Sequence, residues 1–194
     1  MIKVKERKAG LGLNWVNLKT TENKSSLGLE VPYWFWKSDK LNFDQKKSVS
    51  FLLKKEKEII NKYPATHDGG TGLTNGLTAR YQFFNFLKFK SSALKGLQEH
   101  IIKNIRMCVN KFNKEGKNIP TNDLWIICWF NVLRKDEKIG QHKHRSLLDS
   151  EKSFLSGHLT IQAESTSTYY LSVCENQGWC IENIPGEMII FPTY

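Results

Sequence analysis

The sequence predicts an α+β fold in which two long helices cover one face of a sheet that the second half of the chain builds. Two amphipathic patterns with helical spacing lie before residue 116. After residue 124 the chain contains almost only short strand signals, separated by turn residues. Regular short strands of this kind are typical of a sandwich or barrel of the jelly-roll type. The predicted strands are 124–134, 154–163, 167–174, 178–183 and 187–191.

Start and stop signals bound the two helices. Asn42 and Gln45 have the spacing of a capping box, and the apolar residues that follow recur at helical spacing until Pro64 ends the pattern. A second amphipathic helix begins at one of the two serines at 91–92 and closes at Gly116. Between the helices, aromatic and partly alternating residues predict a strand over 78–89.

The length of 194 residues suits a single domain with its own core. Residues 1–28 are polar and broken by glycine, and we expect an N-terminal arm. Residues 29–123 form a helical and strand elaboration, and residues 124–194 form the jelly-roll core. The glycine-rich loop, residues 69–76, lacks the preceding strand and the Lys-Ser/Thr of a phosphate-binding loop, so we interpret it as a lid over a site.

The charge is unevenly distributed. Residues 1–145 carry 28 Lys/Arg against 13 Asp/Glu, a charge of +15, whereas residues 146–194 carry one Lys against six acids, a charge of −5. The positive charge of residues 1–145 is compatible with binding of nucleic acid or another anionic partner. Lysines on the solvent-exposed faces of the two helices explain most of this charge. Nucleic acid therefore ranks last among the partners considered.

No apolar signal segment begins the sequence, and the longest apolar run, within 124–133, is shorter than the roughly 20 residues that span a bilayer. No membrane is expected as a partner, and the expected location is the cytoplasm.

Two histidines follow the strand at 124–134 and the turn that ends in Gly140. In an extended segment, residues i and i+2 point to the same face, so His142 and His144 can direct their imidazoles at one point. Neutral imidazoles are suitable ligands for Fe, Zn, Cu or Ni. Fe(II) oxygenases use ligands on one face of the metal and leave its other coordination positions open. The alternative is two surface histidines in a basic turn.

Four blocks together resemble the 2-oxoglutarate and Fe(II)-dependent oxygenase superfamily, in particular the oxygenases of marine bacteria and phages. In order, the blocks are Trp129–Leu133, Gly140–His144, Ser153–Gly157 and Pro185–Pro192. The resemblance covers about residues 124–194. It implies a double-stranded β-helix, the jelly roll with helices outside, that binds Fe(II) and 2-oxoglutarate and hydroxylates a C–H bond of an unknown substrate. For a phage protein, a virion-associated location is the alternative to the cytoplasm.

The resemblance also implies roles for individual residues. His142 stands at the first metal ligand, and His144 stands where most of the superfamily has Asp or Glu. Asn131 stands on a strand facing the cosubstrate, where its amide can bond a 2-oxoglutarate carboxylate. Ser156 and Gly157 shape the wall of the site, with Gly157 permitting close approach.

In the superfamily, the third ligand, a histidine, follows the block like 186–192, and an Arg or Lys for the cosubstrate comes one strand later. The sequence ends at Tyr194, so we expect a site that a partner chain or further residues complete. Iron and 2-oxoglutarate are both conditional on that completion. The unpaired sheet edge would invite a protein partner or a second copy of the chain. The alternative function is a catalytically inactive jelly-roll module that binds a partner or has a structural role in a larger assembly.

Overall fold

The computed structural model describes residues 16–18, 36–114, 124–142, 155–171 and 178–192. Its α-helices are α1 (Gln45–Lys62) and α2 (Lys95–Lys114), and two short 3-10 segments, Thr78–Phe83 and Phe86–Lys88, lie between them. The strands are β1 (Val16–Leu18), β2 (Trp36–Lys37), β3 (Leu124–Ile126), β4 (Leu155–Leu159), β5 (Ser167–Leu171), β6 (Gly178–Glu182) and β7 (Met188–Pro192).

The N-cap of α1 is Asp44 and not Asn42, so the predicted capping box starts two residues too early. The Asp44 carboxylate accepts a hydrogen bond of 3.0 Å from the backbone N–H of Lys47. A carboxylate at this position accepts from one of the N–H groups that the first turn leaves unbonded. Its negative charge also interacts favourably with the positive end of the helix dipole. The helix ends at Lys62, before Pro64, as the sequence predicts.

Helix α2 buries the apolar seam that its sequence predicts. Leu97, Ile101, Cys108 and Phe112 are all buried along it. The helix begins at Lys95, three to four residues after the serines predicted to start it. The Ser91 hydroxyl accepts from the backbone N–H of Ala93 in the turn that precedes the helix. The predicted end at Gly116 lies outside the described residues.

The predicted strand over residues 78–89 is wrong, because this stretch forms the two 3-10 segments. Asn85 explains part of the difference. Its side-chain oxygen accepts from the N–H of Leu87, 3.0 Å away, and its amide donates to the carbonyl of Ile126. The Gln98 amide meanwhile donates to the carbonyls of Phe86 and Phe89. Side chains thus satisfy backbone groups that a strand would pair with a neighbouring strand.

The four strands of the C-terminal part pair in a nested, antiparallel pattern. Strand β4 pairs with β7, with Gly157 opposite Ile190, while the intervening strands β5 and β6 pair with each other, with Tyr169 opposite Cys180. The two pairs belong to different sheets: β7 lies between β2 and β4, and β5–β6 is a separate sheet of two strands. A two-stranded ribbon folded back on itself produces this pattern.

Side chains of the two sheets contact each other. The ring of Tyr170 on β5 meets that of Phe191 on β7 edge to face, with centroids 5.0 Å apart. The described strands form small antiparallel sheets, none of them closed into a barrel. The jelly roll therefore stays a prediction.

The predicted strand 124–134 is shorter than expected, since only Leu124–Ile126 is a strand and residues 127–134 are irregular. Its partner is β1, which lies inside the predicted N-terminal arm; Val16 stands opposite Ile126. The rest of the arm lies outside the described residues. Within the part of the chain that the structure describes, neither long helix is apolar enough to cross a bilayer.

Candidate functional site

His142 is half-buried at the end of the segment that follows the Gly140 turn. Its Nδ1 lies 2.9 Å from the carbonyl oxygen of Gly140. Because a carbonyl can only accept, this hydrogen bond requires the proton on Nδ1 and leaves the lone pair of the neutral ring on Nε2. Metal-binding histidines commonly use one nitrogen in this way to fix the tautomer and present the other to the metal.

The glycine-rich loop lies directly beside this segment. The N–H of Gly140 donates to the carbonyl of Thr71 at 2.7 Å, and a Cβ at Gly140 would come within 3.2 Å of the same oxygen. Thr71 is buried and its hydroxyl donates to the carbonyl of Asp68. The loop predicted as a lid is therefore next to the segment of the candidate ligand, and one backbone hydrogen bond joins it to the Gly140 turn.

Asn131 does not lie on a strand, because β3 ends five residues earlier. Its side chain is exposed, and its Oδ1 accepts a hydrogen bond of 2.6 Å from the hydroxyl of Thr78. With the amide oxygen used, the Nδ2 group of Asn131 is presented as a donor. A donor of this kind suits an anionic oxygen, which is the role that the resemblance implies for this residue.

Ser156 and Gly157 lie on β4, with Ser156 half-buried opposite Phe191. Gly157 permits a close approach, and the group that approaches is the backbone of β7. A Cβ at residue 157 would lie 2.6 Å from the carbonyl oxygen of Ile189.

The metal site is described only in part. His144 lies outside the described residues. Within the described ranges, no three His, Cys, Asp or Glu side chains form a cluster that suits a metal ion. Of the two ligands predicted from the sequence, the described residues include His142, whose ring is oriented by its bond to Gly140. The structure therefore shows two contacts near the predicted site: Thr78 bonds Asn131, and Thr71 of the glycine-rich loop bonds the Gly140 turn that precedes His142.

A second polar cluster lies between the two C-terminal sheets, and the sequence did not predict it. The hydroxyl of Tyr170 on β5 is 2.9 Å from Nδ1 of His158 on β4, and their rings stack with centroids 6.0 Å apart. Burial lowers the pKa of His158, an effect that a hydrogen bond with Asn183 opposes, and burial raises the pKa of Tyr170. Both side chains are therefore neutral near pH 7. They join the two sheets, and no local sequence signal pairs positions 158 and 170.

Ser38 and His100 superficially resemble a nucleophile and its base, with Oγ and Nε2 3.1 Å apart. The Ser38 hydroxyl donates to the carbonyl of Asp39 and accepts from the N–H of Met188. The contact with His100 must then be donated by the imidazole, so the histidine cannot withdraw the serine proton. Ser38 is also buried, with 6% exposure. This group is a structural link between β2, α2 and β7.

Comparison of the chain with known protein families, with curated proteins and with solved structures finds no match.

Proposed function

We propose that the chain is an Fe(II)- and 2-oxoglutarate-dependent oxygenase that hydroxylates a substrate of unknown class, with His142 as one ligand of the iron. The observation that carries the proposal is the 2.9 Å hydrogen bond between His142 Nδ1 and the Gly140 carbonyl, because it orients the ring and places the proton on Nδ1, as is common in metal-binding histidines. His144 is the second proposed ligand.

The nested strand pairing supports the fold that this function needs. The block containing Ser156 and Gly157 and the block of residues 186–192 are about thirty positions apart, yet they form the adjacent strands β4 and β7. The β5–β6 pair between them belongs to another sheet. A jelly roll is built from a folded ribbon of this kind. Pairing of β4 with β7 places two of the blocks that carry the resemblance on adjacent strands.

The residues of the chain would bind and orient the reactants. Iron and 2-oxoglutarate, when bound, would supply the activation of dioxygen for C–H hydroxylation. Thr78 fixes the Asn131 amide through Oδ1, so that Nδ2 can donate to a cosubstrate carboxylate. Thr71 holds the Gly140 turn in place from the glycine-rich loop and thereby positions the carbonyl that orients His142.

The test is anaerobic titration of the 194-residue chain with Fe(II) in the presence of 2-oxoglutarate, followed by a succinate assay in air. We expect the wild-type chain to bind iron and His142→Ala to lose binding with unchanged circular dichroism and melting temperature. His67→Ala is the matched control, because His67 is an exposed histidine in a neighbouring turn. Equal iron content in His142→Ala, or no uptake by the wild type, would overturn the proposal. The second result would favour the inactive jelly-roll binding module.

A further inference from the structure

We infer that Arg80 binds the terminal anionic group, a carboxylate or a phosphate, of a small ligand where the end of α1 meets the glycine-rich loop. Arg80 is a cation with 7% exposure. Lysine and arginine are seldom buried to this extent without a paired carboxylate, because removing the charge from water is costly. The inference does not depend on the proposed iron centre.

The hydrogen bonds of the guanidinium involve only neutral carbonyl groups. Nε donates to the carbonyl of Tyr63 at 2.8 Å, and Nη1 donates to those of Asn75 and Gly76 at 2.8 and 2.9 Å. An arginine has five N–H donors, so these three bonds leave the two on Nη2. Within the part of the chain that the structure describes, Nη2 has no acceptor and no carboxylate forms an ion pair with Arg80.

The three carbonyls explain why arginine is at this position but do not neutralise it. Tyr63 is the C-cap of α1, where the helix dipole presents roughly half a negative charge that favours a cation. The bonds to Asn75 and Gly76 fasten the glycine-rich loop to this helix end. A structural role therefore accounts for Nε and Nη1, and the remaining positive charge and the Nη2 donors are consistent with an anion.

The position is close to solvent although the side chain is buried. Asn75 is exposed, and Gly76 and Tyr63 are partly exposed, so the residues whose carbonyls contact the guanidinium reach the surface. With Nε and Nη1 already bonded, the ligand would be held through Nη2 alone. This geometry favours one terminal oxygen of a small anion. It excludes the bidentate arrangement in which two guanidinium nitrogens donate to the two oxygens of a carboxylate.

The chain has five arginines, so a sample labelled with ¹⁵N in arginine gives few side-chain signals. The test follows these signals by NMR during separate titrations with acetate, inorganic phosphate and sodium chloride at matched ionic strength. We expect the Arg80 signal to shift and saturate with acetate, with phosphate or with both. The anion that saturates it identifies the ligand as a carboxylate or a phosphate ester. Arg106, exposed on α2, is the internal control and should follow ionic strength only.

The variant Arg80→Lys assigns the signal by its loss and retains the charge. A lysine ammonium has three donors and cannot replace three carbonyl bonds and the ligand bond together. The saturating anion should stabilise the folded chain against thermal unfolding in both proteins. The Arg80→Lys variant should need an anion concentration about 10- to 100-fold higher than the wild type for the same stabilisation. If this variant does not fold, the titration of the wild type decides. A response of Arg80 that is equal for all three salts, or that does not saturate, would overturn the inference.

Discussion

Replacing Gly157 by alanine should destabilise the protein because β4 and β7 are too close for a side chain at this position. The added Cβ would lie 2.6 Å from the carbonyl oxygen of Ile189 and 3.3 Å from two atoms of Ile190, whereas ordinary contact begins at 3.4 Å. The closest atom, the Ile189 oxygen, and one of the two Ile190 atoms belong to the backbone, so no rotamer change relieves the clash. The strands must separate locally, by about 0.8 Å if all of the clash is relieved that way.

Overpacking of this kind lowers the free energy of unfolding by about 1–3 kcal/mol. Alanine is more favourable than glycine in a strand by about 0.5–1 kcal/mol, which offsets part of that loss. The net expected loss in the free energy of unfolding is about 1–2 kcal/mol. Gly96→Ala is the matched control, because its Cβ would meet nothing within 4 Å and it lies in α2. The same substitution there should stabilise by up to about 1 kcal/mol through helix propensity.

Urea unfolding followed by tryptophan fluorescence measures both variants. With a slope of about 2 kcal/mol per M, Gly157→Ala should lower the midpoint by about 0.5–1 M, and Gly96→Ala should leave it unchanged or raise it. If Gly157→Ala unfolds at the wild-type urea concentration with an unchanged slope, the β4–β7 register described above is incorrect.

Three further predictions concern the helices and the pH dependence. Glu56 is buried and bonded through both oxygens to Arg134, whose side chain is about half exposed. Arg134→Met should cost about 3 kcal/mol by leaving a buried carboxylate without its partner, and Glu56→Gln clearly less; equal losses in urea unfolding would contradict this asymmetry. Asp44→Ala should lower the free energy of unfolding by about 1 kcal/mol and Asn42→Ala should not; the reverse order would restore the capping box predicted from the sequence. Because burial lowers the pKa of His158, its stabilising effect is complete above the unfolded value near 6.5 and is lost as pH falls toward the lower folded value. Wild-type stability should fall below pH 6.5, by at most about 1.4 kcal/mol per pH unit from this group, and His158→Gln should flatten the curve; parallel curves would exclude the effect.

Local patterns were sufficient for elements that depend on neighbours in the sequence. Helix α2 follows from its apolar period, and α1 ends before Pro64, since both signals act within a few residues. The strands β5 and β6 begin at the predicted residues 167 and 178 because short alternating runs with turns between them leave few alternatives.

Tertiary contacts decided the rest. The aromatic stretch 78–89 has the composition of a strand, but Asn85 and Gln98 bond its backbone groups, and Gln98 comes from a helix that follows it in the chain. Pairing of β4 with β7 brings together residues about thirty positions apart, and a local pattern carries no information about such a register. The set of carbonyls that Arg80 contacts likewise depends on the packing of the glycine-rich loop against the end of α1. Periodicity and turn residues therefore determined where most elements lie, whereas long-range packing determined which polar groups meet, because a partner distant in sequence leaves no trace in the spacing of nearby residues.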